Sequence, residues 1–281
     1  MIVVTGASGN VGRPLVNALA AAGSRTTAVT RGPLPYALPP GAVHQRADLA
    51  APSSLGPALE GAEALFLLVA GGLLTGGPAA EDLLKTAESA GVRRVVLLSS
   101  QVTGTRPEAA SHARLREFEE AVRAWGREWT ILRPAGFASN TFAWVETVRA
   151  TRTVIAPFGD VALPVVDPAD IAEVASVALR EDGHTGRAYE LTGPAGVSPR
   201  RQAQDLGDAV GAEVHFVELT REQAREQMLK FMPPAVVEGT LDVLGEPLPA
   251  ERRVSPDVQT VLGRPAGSFA GWVARHAGAF G

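Results

Sequence analysis

The chain has 281 residues, of which 46% are hydrophobic and 20% charged, and its formal net charge is −4. This balance describes a folded globular protein of one or two domains and excludes a disordered one. Cysteine is absent, which removes disulfides, thiolate catalysis and cysteine metal sites together.

The five histidines (His44, His112, His184, His215, His276) show no spacing that would bring two onto one helix face as metal ligands, so no metal is expected. No basic cluster is dense enough to follow a nucleic-acid backbone, which excludes a nucleic-acid partner. No apolar run reaches the roughly 18 residues of a membrane span. The chain begins directly on an apolar strand pattern, with no basic segment ahead of an apolar one, and so reads as cytoplasmic and without a membrane partner.

In chain order, Ile2–Val4 reads as a buried strand. It is followed by Thr5-Gly6-Ala7-Ser8-Gly9-Asn10-Val11-Gly12 and then by a helix over Arg13–Ala22. Strand, glycine turn and helix N-terminus in that order suit a pyrophosphate, which the turn's backbone N–H groups and the helix dipole would hold. Gly6 would permit the turn, Gly9 the close approach of phosphate, and Gly12 close packing of helix on strand. Further strands are expected at Thr26–Thr30, Ala64–Val69, Val95–Ser99 and Trp129–Leu132, with helices at Ala79–Ala90 and Leu115–Trp125. Near-continuous apolar strands alternating with helices imply an α/β fold: a Rossmann-like, doubly wound parallel sheet covered on both faces.

Ligands in such sheets bind at the carboxyl ends of the strands. That rim would carry Thr5–Gly12, Arg31, Val69–Gly72 (with Ala70), Ser99–Gln101 and Pro134–Phe137. The second half is less regular. Asp167-Pro168-Ala169-Asp170 caps a helix through Leu179, Ala188–Thr192 is a strand, and Ser198-Pro199 starts another helix. Val214–Glu218 and a helix from Arg221 follow. The expected organisation is a dinucleotide-binding domain over 1–150, which also receives strands from about 151–195. A smaller C-terminal substrate lobe occupies 196–281.

A residue about 20 positions beyond the glycines distinguishes the two dinucleotides, by an acid on the NAD 2′-hydroxyl or an arginine on the NADP 2′-phosphate. Here the second strand ends in Ala28-Val29-Thr30-Arg31-Gly32, and the first acidic residue of the chain is Asp48. Arg31 is placed for a phosphate contact, which implies NADP(H). Arg13 either assists or is a solvated helix arginine. Asp48, followed by Leu49, either accepts from the adenine amino group or caps a helix.

The Gly6-x-x-Gly9-x-x-Gly12 spacing with Asp48-Leu49 resembles the short-chain dehydrogenase/reductase superfamily. Three further stretches resemble its atypical, NmrA-like branch. They are Trp129-Thr130-Ile131-Leu132-Arg133-Pro134 with Phe137 and Asn140; Asp167 to Ala172; and Tyr189-Glu190-Leu191-Thr192-Gly193-Pro194. The resemblance covers residues 1–200. It implies a Rossmann-like NAD(P)-binding domain and two kinds of function. One is NADPH-dependent reduction of quinones, dyes, phenylpropanoids or aromatic polyketide ketones; the other is redox sensing without turnover.

Most of the superfamily uses a Tyr-x-x-x-Lys pair to deliver the proton. The two tyrosines, Tyr36 and Tyr189, are followed four residues later by Pro40 and Gly193, so that pair does not exist here. The nearest helical substitute is His112 with Arg116 four residues on, either a proton donor or an ordinary helix-start histidine. Ser99, Ser100 and Gln101 either hold a substrate oxygen or the cofactor ribose, or make strand-end hydrogen bonds. Phe137, Met228, Phe231 and Met232, with Phe142 and Trp144, suggest an apolar surface for a small aromatic substrate. With the dyad missing, protonation by water or by the substrate suits a quinone or an aromatic ketone bearing a phenol.

Overall fold

The computed structural model describes residues 1–281, which cluster into two compact units. The first comprises residues 1–104, 112–134 and 168–190; the second comprises 105–111, 135–167 and 191–281. Residues 135–150 cluster with the second unit.

The first unit is built on a seven-stranded sheet. Its strands are β1 (Ile2–Thr5), β2 (Thr26–Thr30), β3 (Ala42–Arg46), β4 (Ala64–Leu68), β5 (Arg94–Leu98), β6 (Glu128–Pro134) and, from later in the chain, Arg187–Leu191. Their order is β3-β2-β1-β4-β5-β6 with Arg187–Leu191 beside β6. Every pair from β3 to β6 is parallel, with Ile2 opposite Thr26 and Ala64, and Leu98 opposite Leu132. The strand order reverses between β1 and β4, which places the switch point of a doubly wound sheet at the carboxyl ends of those two strands.

Alternation along the strands divides the core. Val3, Val29, Leu65, Leu67, Val95, Leu97 and Ile131 share one cluster with Leu83 and Leu84 of the helix Ala80–Ser89 and with Phe118 and Val122 of the helix Ala113–Ala124. The residues between them point to the other face, where the helices Gly12–Ala21 and Pro168–Arg180 pack side by side. Both faces are covered, which is why β1, β2, β4 and β5 are apolar or buried almost throughout. The Thr5 hydroxyl donates to the Phe66 carbonyl and accepts from the Leu68 N–H, fastening β1 to β4 at the switch point.

The second unit holds a two-stranded parallel pair, β7 (Thr153–Pro157) and β9 (His215–Leu219), with Arg187–Leu191 of the large sheet counted as β8 between them in sequence. Its helices include Pro199–Val210, Arg221–Met228, Pro234–Gly245 and Phe269–His276. Ser198 caps the first of these by accepting from the Arg201 N–H, and Pro199 stands at its first position, as the sequence implies. Thr220 and Gln223 form a reciprocal capping box on Arg221–Met228. Trp272, Phe269, Val273 and Phe280 centre the main core of the unit, with Phe142 packed edge-on to Trp272 and stacked on Phe280. Phe142 and Trp144 are partly buried against this core. No helix of the chain is long and apolar enough to cross a membrane.

Candidate dinucleotide site

The turn after β1 is shaped by its glycines. Gly6 has φ +64°, the left-handed region that L side chains rarely adopt. A Cβ on Gly12 would fall 2.2 Å from the Gly6 carbonyl oxygen, and one on Gly9 would fall 3.3 Å from the same atom. Gly12 is therefore required so that the helix can start tight against the turn, and Gly9 keeps the loop's outer edge bare. The helix Gly12–Ala21 has no side-chain cap and no acidic residue in its first turn, which leaves the positive end of its dipole open to an anion.

A cleft of about 460 Å³ opens at this turn in the first unit. Gly6, Ser8 and Gly9 form one part of its lining; Thr30 and Arg31 at the end of β2, and Asp48 and Leu49 after β3, form another; Ala70 and Gly72 after β4 form a third. These elements meet because β1, β2 and β4 are neighbours whose carboxyl ends point the same way. Of the residues expected to hold the dinucleotide, Ala7, Val11 and Val69 are buried in the core, while Asn10 is exposed beside the turn. The donor set fits a dinucleotide: bare backbone at the turn, an uncapped helix end, and an arginine rather than a carboxylate at the end of β2.

Asp48 does not cap a helix. Its Oδ1 accepts from the Ala50 N–H at 3.0 Å and its own N–H donates to the Ser54 hydroxyl, forming a side-chain-closed turn, and the short helix that follows starts after Ala51.

Two features of this rim carry no periodic signal and went unread in the sequence. Tyr36, in the loop between β2 and β3, donates its hydroxyl to the Ala7 carbonyl at 2.7 Å. The Arg13 guanidinium lies over the Tyr36 ring, 4.6 Å from its centre. Burial pushes the Tyr36 phenol up, with Arg13 opposing more weakly, so the hydroxyl stays protonated as the donor.

At the carboxyl ends of β5 and β6 stands a buried carboxylate, Glu119, only 1% exposed. It accepts from the Ser99 hydroxyl at 2.6 Å, the Thr103 hydroxyl at 2.7 Å and Arg133 at 2.6 and 3.0 Å, with Arg123 at 2.8 Å. Burial alone would raise its pKa, but the hydrogen bonds from Arg133, Ser99 and Thr103 outweigh it and bring the carboxyl down to about 2. Gly104 makes room for Arg133, since a Cβ there would lie 2.6 Å from the guanidinium. A sequence signal for Glu119 does exist. Leu115, Phe118, Glu119 and Val122 follow the spacing of one buried helix face, and a carboxylate within such a stripe requires a partner.

This network redefines the expected catalytic residues. Ser99 turns its hydroxyl inward to Glu119, because that carboxylate is a stronger acceptor than anything on the rim. Ser100 accepts from the Val102 N–H at the start of the helix Gln101–Thr105, and Gln101 is itself buried. His112 precedes the helix Ala113–Ala124, and burial followed by the charge of Arg116 lowers its pKa, so at neutral pH it is a neutral imidazole rather than a proton donor in cationic form. Both tyrosines are held in hydrogen bonds, Tyr36 to Ala7 and Tyr189 to His184 at 2.8 Å.

Pro134 is buried at the end of β6. The residues expected to contact substrate, Phe137, Met228, Phe231 and Met232, lie in the second unit. Phe137 pairs with Val166 through a backbone bridge. Met228 and Met232 pack with Phe158, Leu219 and Leu229 against Ala224, Val237 and Leu241. Phe231 between them is 71% exposed. No group of three or more His, Asp or Glu side chains is gathered that could hold a metal ion.

Comparison with known proteins accords with this geometry. The model of a family described as NAD(P)H-binding matches residues 6–182. The (4-alkanoyl-5-oxo-2,5-dihydrofuran-3-yl)methyl phosphate reductase of Streptomyces griseus is 37% identical, with 100% of this chain and 99% of that protein covered. The NAD(P)H azoreductase of Xenophilus azovorans is 30% identical, again over 100% and 99% of the two chains. In fold, the crystal structure of the NADPH-dependent quinone oxidoreductase of Escherichia coli, complexed with NADPH, is similar at a TM-score of 0.80 and 23% identity, covering 98% of this chain and 99% of that one. The chain belongs to the NAD(P)H-binding family and is an NAD(P)H-dependent oxidoreductase.

Proposed function

We propose that this protein uses NADPH to reduce a small, planar, conjugated acceptor, an aromatic ketone or a quinone, without a side-chain acid. The observation that carries the coenzyme preference is Arg31 at the end of β2, lining the cleft where an NAD-specific site would place a carboxylate. When bound, the dihydronicotinamide supplies a hydride. The protein's own part is to bind and orient: the glycine turn and helix end take the pyrophosphate, Arg31 takes the 2′-phosphate, and the Glu119 network holds the ends of β5 and β6 in fixed register.

The acceptor class follows from the missing proton donor. Hydride addition to a quinone, or to a ketone conjugated with a phenol, leaves an oxyanion that is delocalised or already hydrogen-bonded. Water or the substrate's own phenol then supplies the proton. Proximity and orientation alone contribute up to roughly 7–11 kcal/mol. The names of the relatives support this class: a furanone conjugated with carbonyl groups and an azo compound are likewise electron-poor acceptors.

The test is NADPH consumption across a panel of quinones, phenol-bearing aromatic ketones and isolated aliphatic ketones. Turnover with the conjugated compounds and none with the aliphatic ketones is expected. Turnover confined to aliphatic ketones would overturn the acceptor class. Tight NADPH binding with no turnover on any compound would identify a dinucleotide sensor instead.

A further inference from the structure

We propose that Tyr36 and Arg13 form a second, preassembled part of the 2′-phosphate seat, with Tyr36 as a specificity-determining positioning residue that acts through Arg13. The inference rests on the NADPH preference proposed above and extends it to two residues which that preference does not require.

The arginines of the first unit differ in where their charge is spent. Arg94, Arg114, Arg123 and Arg133 are each paired with a carboxylate. Arg13 and Arg31, on either side of the glycine turn, are among the arginines of the unit that pair with no carboxylate, as are Arg25, Arg46, Arg93 and Arg187 away from the turn. Arg13 follows Gly12 directly, and its backbone N–H donates to the Gly9 carbonyl, so its side chain leaves from the first turn of the helix that abuts the glycine loop. Its guanidinium lies over the Tyr36 ring, 4.6 Å from the ring centre. A cation–π contact attracts the guanidinium to the ring face without occupying all of its five N–H donors, which remain available to an anion.

The ring is itself fixed. The Tyr36 hydroxyl is anchored on the Ala7 carbonyl, inside the glycine turn. Tyr36 sits in Gly32-Pro33-Leu34-Pro35-Tyr36-Ala37-Leu38-Pro39-Pro40, a segment stiffened by prolines that begins immediately after Arg31. One hydrogen bond therefore ties the loop leaving Arg31 back to the turn that precedes Arg13. The local charge is positive on both sides of the turn, with Asp48 the one carboxylate of the cleft lining. A dianionic phosphate ester matches that arrangement; a ribose hydroxyl does not require it.

The test is direct binding of NADPH and NADH by fluorescence titration, at two salt concentrations, to the wild type, Arg13→Ala, Tyr36→Ala, Tyr36→Phe and the Arg13→Ala/Tyr36→Ala double variant. Arg13→Ala is expected to weaken NADPH binding by about tenfold, the scale of an exposed charge-assisted contact, and to leave NADH within about twofold. Tyr36→Ala should lower the NADPH-to-NADH affinity ratio by about threefold to tenfold. Tyr36→Phe, which keeps the ring and the fold, should have a smaller effect of the same sign. In the double variant, Tyr36→Ala should add nothing to Arg13→Ala, since it acts through that residue. A preference for NADPH that is unchanged in Arg13→Ala overturns the inference and leaves the role of Arg31 standing. Equal losses of NADPH and NADH in Tyr36→Ala would overturn the specificity role of Tyr36. Equal wild-type affinity for the two dinucleotides would overturn the coenzyme preference itself.

Discussion

Replacing Glu119 by glutamine removes the charge on which Ser99, Thr103, Arg123 and Arg133 converge while keeping the shape of the side chain. The drop of the carboxyl from its ordinary 4.5 to about 2 corresponds to about 3 kcal/mol in favour of the ionised form, at roughly 1.4 kcal/mol per unit of pKa. Breaking a buried ion pair from one side costs about 3–5 kcal/mol, because the remaining charge is left unpaired. Both routes place Glu119→Gln about 3 kcal/mol below the wild type at pH 7, which for a chain of this size lowers Tm by about 6–12 °C. The sign of the pH dependence follows from the depressed folded-state value. The contribution is complete above pH 4.5 and is lost as pH falls through that value toward about 2. Urea denaturation of both proteins from pH 7 down to pH 3 measures this directly. The gap should be widest at pH 7 and narrow as the acid limb is reached. A loss below about 1 kcal/mol at pH 7, or a gap that widens in acid, would refute the reasoning.

The glycine turn makes a contrast between two neighbours. Gly12→Ala drives a Cβ to within 2.2 Å of a backbone oxygen and should cost about 1–3 kcal/mol along with NADPH binding, measured by thermal melts and titration. Gly9→Ala, with a 3.3 Å contact at an exposed position, should fold with less than about 1 kcal/mol lost and still bind NADPH more weakly. His112→Ala should leave kcat within about threefold at pH 7, because the lowered pKa already keeps the ring uncharged there; a hundredfold loss would return it to the chemistry. Phe231→Ala, at a side chain 71% exposed, should leave Tm unchanged in a thermal melt.

The Rossmann-like half was legible in the sequence because its signals are local. Each strand that pairs from β1 to β6 except β3 is a short run dominated by buried residues, and each expected boundary lies within two or three residues of the observed one. The glycine turn was legible for the same reason: three glycines, each with a distinct geometric duty, stand between a strand and a helix. The second unit was not read as closely. β7 is a five-residue run, Thr153–Pro157, whose partner β9 lies some sixty residues further on, and the helices Pro234–Gly245 and Phe269–His276 pack on Arg221–Met228 and Pro199–Val210, partners that no local pattern announces.

At the site, Arg31 and Asp48 could be placed by their distance from the glycines. Tyr36 could not, because it reaches Ala7 from a proline-rich loop without periodicity. Ser99 was read as a rim group on position alone, and what turned it inward was Glu119, twenty residues away and on a different element. Arg133, within the stretch that carries the family resemblance, proves to be a structural partner of that same carboxylate.

The central claim is that the intact dinucleotide cradle serves hydride transfer to a conjugated acceptor with no protein acid. Its most direct test is anaerobic oxidation of NADPH by naphthoquinone, followed through the nicotinamide absorbance as a function of pH. One NADPH should be consumed per quinone, at a kcat that is flat across the range where a histidine or a perturbed tyrosine would titrate. A bell-shaped or single-step profile abolished by one side-chain substitution, or tight NADPH binding with no oxidation, would contradict it.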